Sequence, residues 1–299
     1  MTFKGTSFNL SLTKDQTLML KAIGILLIVI HNFSRWIDPI TGESEFTFSQ
    51  SALPTAIHIG STNAWMFFKA FFNYFGHYGV QLFIFLSGYG LVQSYLKEKQ
   101  SYIKYVYHRF QKLYPSLVVA ILLYLIYQVF VMHQFPKLEI LPDLLAHLTL
   151  TATLLPGKGQ SVVGPRWFYS TIFQLYLIFP LLIKVYSRYG SRWLLIIGLL
   201  AWTLTQMYAH FDNLYQVNIR ETFIGQVPVF ILGIWFGTDY KKCISWYMAL
   251  ALFVLFCVGC YFQVSTPPLP SYTSRFLSIN CGSRSLTLEV LVSFMFWIT

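Results

Sequence analysis

Charge is scarce in this chain. Only 11% of its 299 residues are charged, against about 25% in soluble domains, and 56% are hydrophobic. Water cannot be the main solvent of such a fold, so the composition predicts a bilayer. Acids are scarcer than bases, 11 against 21, and all but Glu289 fall in loops or at the ends of apolar runs. Proton relays in ion-coupled transporters rely on carboxylates inside the membrane, and their near absence weighs against that class. Cysteine is limited to four residues, too few and too scattered for a disulfide framework or a zinc cage. Cys257 and Cys260 have CxxC spacing but lie within the apolar run Ala249 to Phe262, so they read as small buried hydrophobes and no metal site is expected. Also absent are an HExxH pair, a phosphate-cradling glycine loop, a serine in a nucleophile elbow and a glycosidase-type carboxylate pair.

Aromatic residues are plentiful, at 19%, and many stand at the ends of apolar runs, where rings anchor helices at the headgroup level. The formal net charge of +10 does not indicate nucleic acid. Its lysines and arginines flank apolar segments instead of forming one basic face, which is the pattern of topology signals and of contact with anionic lipids.

Spanning helices need about 20 apolar residues. The candidates are Leu18 to Ile37, Gly76 to Leu96, Leu113 to Met132, Trp167 to Tyr186, Trp193 to Ala209, Thr222 to Gly237, Ser245 to Phe262, and a run from Leu286 to the last residue, Thr299. Asp143 to Leu155 is apolar but short. If it does not cross, thirteen cations including Lys21, Lys97, Arg109, Lys112, Arg188 and Lys241 share one side. The positive-inside rule therefore makes it re-entrant or interfacial and the amino terminus cytoplasmic. Trp65 to Tyr74 and the basic stretch Tyr102 to Lys112 are expected along the membrane surface. The sequence thus predicts an all-α integral membrane protein of about eight to ten transmembrane helices, a single domain over residues 1–299. The apolar run at its end suggests that a last helix or two is missing. No small-residue cleavage site follows the first apolar run, so that run is expected to stay as a span.

His31 is the first candidate for chemistry. It lies in the outer half of the first span, where an imidazole is costly unless it faces a polar interior; a packing hydrogen bond between helices is the alternative. Lys21 precedes it by ten residues, about 15 Å toward the cytoplasm. Arg109 and Lys112, three apart, share a helix face. All three cations fit topology signals, and all three equally suit the phosphates of a nucleotide-bearing acyl donor. Glu289 either orients His31 or is a satisfied buried carboxyl.

Four segments together resemble the acyltransferase family 3 membrane proteins, bacterial O-acyltransferases that commonly acetylate cell-surface glycans. They run from Lys21 to His31; from Gly79 through Ser87-Gly88 to Tyr89; from Tyr107 through Arg109 and Lys112 to Pro115; and from Trp167 through Gln174 and Tyr176 to Pro180. The resemblance implies about ten helices, a cytoplasmic acyl-CoA as co-substrate with acetyl-CoA the expected form, and an essential histidine, here His31. The family's basic residue on the first helix is typically Arg eleven positions before the histidine; here it is Lys21, at ten. Its pair of third-helix arginines appears as Arg109 and Lys112, and the phenylalanine after Ser-Gly as Tyr89.

The implied reaction moves an acyl group onto a hydroxyl of a surface or lipid-linked glycan at the inner membrane. His31 acts as general base or is itself transiently acylated. Asn32, Ser87, Trp167, Gln174 and Tyr176 are candidates for the acceptor side, with interhelical packing as the alternative. A transporter or flippase that makes no bond is the rival class.

Overall fold

The computed structural model describes residues 7–8, 12–34, 57–130, 133, 135–136, 138–162, 166–208, 216–238 and 244–245. Eight α-helices account for most of them: α1 (Lys14–Ser34), α2 (Ala64–Phe75), α3 (Tyr78–Lys97), α4 (Tyr102–Phe130), α5 (Leu141–Leu148), α6 (Trp167–Tyr189), α7 (Ser191–Tyr208) and α8 (Phe223–Thr238). The extended backbone is one two-residue antiparallel pairing, Ser7–Phe8 with Ile244–Ser245. Helices α1, α4 and α6 are long and apolar enough to cross a membrane, and α8 is a shorter apolar helix. The predicted spans beyond Ser245 lie outside the described residues, as does Glu289.

The exposed surface is the apolar one. Leu26, Val29 and Phe33 of α1 and Leu122, Leu123, Ile126 and Phe130 of α4 all stand open, while α1 buries Gly24, His31 and Ser34. Water would penalise that arrangement and hydrocarbon favours it. The protein is therefore an all-α integral membrane protein.

Two stretches differ in form from their sequence-based outline. The basic segment Tyr102 to Lys112 is not a separate interfacial helix. It is the first part of α4, whose 29 residues extend about 44 Å, longer than the hydrocarbon core. The short apolar segment after Leu138 breaks into a 3₁₀ turn, the eight-residue α5 and a second 3₁₀ turn, Ala152–Leu154. At about 12 Å, α5 cannot span, in keeping with its expected failure to cross. It ends with Leu150 at φ 60°, where the Leu150 amide bonds His147 O and the Thr151 amide bonds Ala146 O, both at 3.0 Å. This left-handed termination costs a non-glycine residue about 1–2 kcal/mol. Burial of the Leu150 side chain against Leu117 and Ile121 of α4 offsets it.

Contacts divide the chain into two compact units, one reaching Leu86 and the other spanning Ser87–Asp239. In the first, α1 packs on α2 and crosses the start of α3 where glycines meet. A Cβ on Gly79 would lie 2.6 Å from Gly24 O, a backbone approach only small residues permit. In the second, α8 packs against α6 and α7, and α4 against α6. Gly88 of α3 faces the Phe230 carbonyl of α8 with no room for a Cβ, and Gln93 Nε2 donates to Gly237 O at 2.9 Å. Thus Gly88 of the Ser-Gly pair is a packing residue.

Candidate functional site

The first unit places His31 on the inward face of α1. Its side chain is 5% exposed, whereas Val29 is 58% and Phe33 62% exposed. Nδ1 lies 3.3 Å from Phe72 O, at the end of α2. A carbonyl oxygen only accepts, so Nδ1 carries the hydrogen and, in the neutral ring, Nε2 carries the lone pair. Gly76 makes the contact possible: a Cβ there would sit 2.6 Å from His31 Cβ and 2.8 Å from Leu27 O. The His77 ring stands edge-on to His31 at 5.8 Å.

Helix α2 is inverted relative to a soluble amphipathic helix. Trp65, Phe67, Phe68 and Phe71 are exposed, while Lys69 and Asn73 are buried. Lys69 and Asn73 stand one turn apart, and Gly76 and His77 continue the same stripe. Asn73 Oδ1 has no hydrogen-bond partner among the described residues. Sequence reasoning assigns no role to Lys69, Asn73, Gly76 or His77. The available signal was their helical spacing inside a run otherwise made of aromatics. On α1 itself, Asn32 Nδ2 donates to Ile28 O at 2.9 Å, so it binds its own helix. Lys21 lies partly buried, about one turn before Gly24 and nearly three before His31.

The second unit brings Ser87, Arg109 and Tyr176 together. The Arg109 guanidinium lies 5.4 Å from the Tyr105 ring centre and 6.0 Å from that of Tyr176, and Ser87 lies beside the Tyr176 hydroxyl. The two rings flank the guanidinium. Lys112, one turn further along α4, is exposed. Arg109 is thus the ring-packed cation of the pair and Lys112 the exposed one.

Gln174 serves another purpose. Its Nε2 donates to Thr153 Oγ1 at 2.9 Å and to Leu150 O at 3.4 Å, and its Oε1 accepts from the Phe223 amide at 3.4 Å. It ties the turns after α5 to the head of α8. Close by in the same unit, buried Glu221 accepts from Gln160 Nε2 at 2.7 Å and Asn218 Nδ2 at 3.0 Å, and the Thr171 hydroxyl donates to its backbone carbonyl. Trp167 is buried at the first position of α6. These contacts make Gln174 an internal strut.

A family model described as an acyltransferase domain matches residues 19–299, and the chain belongs to that family, acyltransferase family 3; it is a membrane acyltransferase. No curated protein and no solved structure matches it.

Proposed function

We propose that this protein transfers an acyl group, in its expected form acetyl, from cytoplasmic acyl-CoA to a hydroxyl of a surface or lipid-linked glycan, with His31 as general base. The observation that carries the reading is the inward His31 ring anchored through Nδ1 on Phe72 O, which leaves Nε2 as the basic atom. The acceptor hydroxyl gives its proton to Nε2 as its oxygen attacks the thioester carbonyl carbon. The carbon–sulfur bond then breaks, and the proton passes to the departing thiolate, giving an ester and free CoA.

Nδ1 remains a donor to the Phe72 carbonyl in both protonation states, so the ring keeps its orientation while Nε2 takes up and returns the proton. Lys21, Arg109 and Lys112 take the phosphates of the donor. Family membership supports acyl transfer, and the cytoplasmic amino terminus follows from the distribution of cations. In membranes supplied with radiolabelled acetyl-CoA, His31→Ala is expected to lower label incorporation into extracted glycan by about 10²–10⁴-fold with unchanged protein yield. Undiminished incorporation by a folded variant removes His31 from the reaction.

A further inference from the structure

The hydrogen bond to Phe72 O settles which nitrogen of His31 carries the hydrogen, but not the plane of the ring. At 3.3 Å it is longer than the usual N–H···O range of about 2.7–3.2 Å. Its acceptor is also shared, because the Gly76 amide donates to Phe72 O at 2.9 Å. The second torsion of a histidine side chain is broad and lacks sharp staggered wells. The direction of Nε2 therefore depends on what stands against the ring.

His77 stands there. Its ring lies 5.8 Å from that of His31, centre to centre, with 64° between the planes, inside the span of about 4.5–7 Å over which edge-to-face rings attract. His77 is half-buried and is itself packed: the Tyr78 ring lies 4.1 Å from it, and Tyr78 stacks on Phe75 at 6.4 Å. The backbone that carries His77 is pinned to α1 on both sides. Before it, a Cβ on Gly76 would sit 2.6 Å from His31 Cβ; after it, a Cβ on Gly79 would sit 2.6 Å from Gly24 O and 2.9 Å from Ile28 Cγ1. Between these two contacts the Gly79 amide bonds Gly76 O at 3.1 Å, and the Val80 amide bonds His77 O at 3.0 Å. A ring mounted on so short and doubly pinned a turn cannot easily retreat from His31, which is what the support of a reacting group requires.

We propose that His77 is a positioning residue of the transfer reaction: its ring, set edge to face against His31, fixes the imidazole plane and so aims Nε2 at the acceptor hydroxyl. The inference rests on the reading of His31 as the base. The contact is one of ring against ring, so His77 has to supply a flat side chain at that place and exchanges no proton in the reaction.

The test follows initial rates of label transfer from radiolabelled acetyl-CoA to extracted glycan in membranes holding the full chain, per unit of folded protein. His77→Ala should lower the maximal rate about 10- to 100-fold, as loosening a reacting group by about an ångström does, and leave KM for acetyl-CoA unchanged. His77→Phe restores a flat ring without nitrogens and should return the rate to within about threefold of wild type. In the His31→Ala background, His77→Ala should cost nothing more, because a residue that acts through another loses its effect once that partner is gone. A further loss in that background overturns the proposal. So does a Phe variant as slow as the Ala variant, or a rise in KM in place of the loss of rate. Should His77→Ala not fold, His77→Leu keeps the bulk without the flat ring and should show the same loss; a full rate there is equally decisive against the assignment. A slow His31→Ala beside a full-rate His77→Ala sinks this inference alone, whereas a full-rate His31→Ala removes the base reading and this inference with it.

Discussion

His31 and His147 are chemically alike and differently employed. Both are buried, and each gives one ring nitrogen to a backbone carbonyl: His31 through Nδ1 to Phe72 O and His147 through Nε2 to Ser161 O. The tautomers are therefore opposite. His31 is carried by a 21-residue spanning helix and held by a neighbouring helix across a glycine contact. His147 sits on an eight-residue helix and is held by a turn fourteen residues further along the chain. Burial and a carbonyl partner therefore do not by themselves define a catalytic base. What differs is the element that presents the ring: a spanning helix packed on its neighbour in one case, a short helix closed by a turn in the other.

The sharpest way to break this comparison is to remove each ring in turn. His31→Ala should cost about 10²–10⁴-fold in acyl transfer and little in unfolding midpoint. His147→Ala should leave transfer by the folded fraction within about threefold and cost on the order of 1–3 kcal/mol of stability, from a buried carbonyl left unpaired. If both variants lose transfer equally while folded, the distinction fails. Gly76→Ala comes next. Its Cβ has no space beside His31 Cβ and Leu27 O, and it should lower transfer about 10- to 100-fold by displacing the ring. Gly90→Ala is the control, since a Cβ there meets nothing within 4 Å, and it should leave transfer unchanged.

For the donor, Arg109→Gln should raise KM for acetyl-CoA by about tenfold and Lys112→Gln by less, because two rings flank Arg109 and Lys112 is exposed. Equal effects would remove the distinction between them. The smallest effect concerns pH. Burial holds His147 below its usual value, and the Arg166 charge adds to the shift. As pH falls below about 6.5, the unfolded chain binds a proton that the folded chain refuses. This contribution to stability is therefore full above that pH, shrinks on acidification, and levels off below the lowered folded value. Unfolding midpoints of wild type and His147→Gln between pH 7.5 and 5 should converge on the acid side. Parallel curves would argue against a buried neutral ring.

Much of this was legible in the sequence because hydrocarbon imposes simple rules on it. Apolar runs beginning at Gly76, Trp167, Trp193 and Thr222 start within two residues of α3, α6, α7 and α8, since backbone in hydrocarbon must satisfy its own polar groups as helix. His31 was legible as an ionisable group inside such a run, and Arg109 through its spacing from Lys112. What escaped notice was the set of polar residues buried by tertiary contact. Lys69 and Arg166 look like isolated loop cations, because a single charge carries no periodicity and only packing decides whether it is solvated. Gln174 lies in a family-like segment that pointed to the acceptor side, with interhelical packing as the alternative, and its bonds to Thr153, Leu150 and Phe223 depend on turns distant in sequence. The roles of Gly76 and Gly88 depend on the approach of another helix, which no local pattern encodes.

The atom that fixes the tautomer of His31 is the Phe72 carbonyl, and no codon specifies it. Any residue at position 72 supplies the same oxygen, so alanine scanning will pass over it and lists of invariant side chains will not contain it. Only a change in the path of the chain can take it away, and the last turn of α2 is where such a change would have to occur.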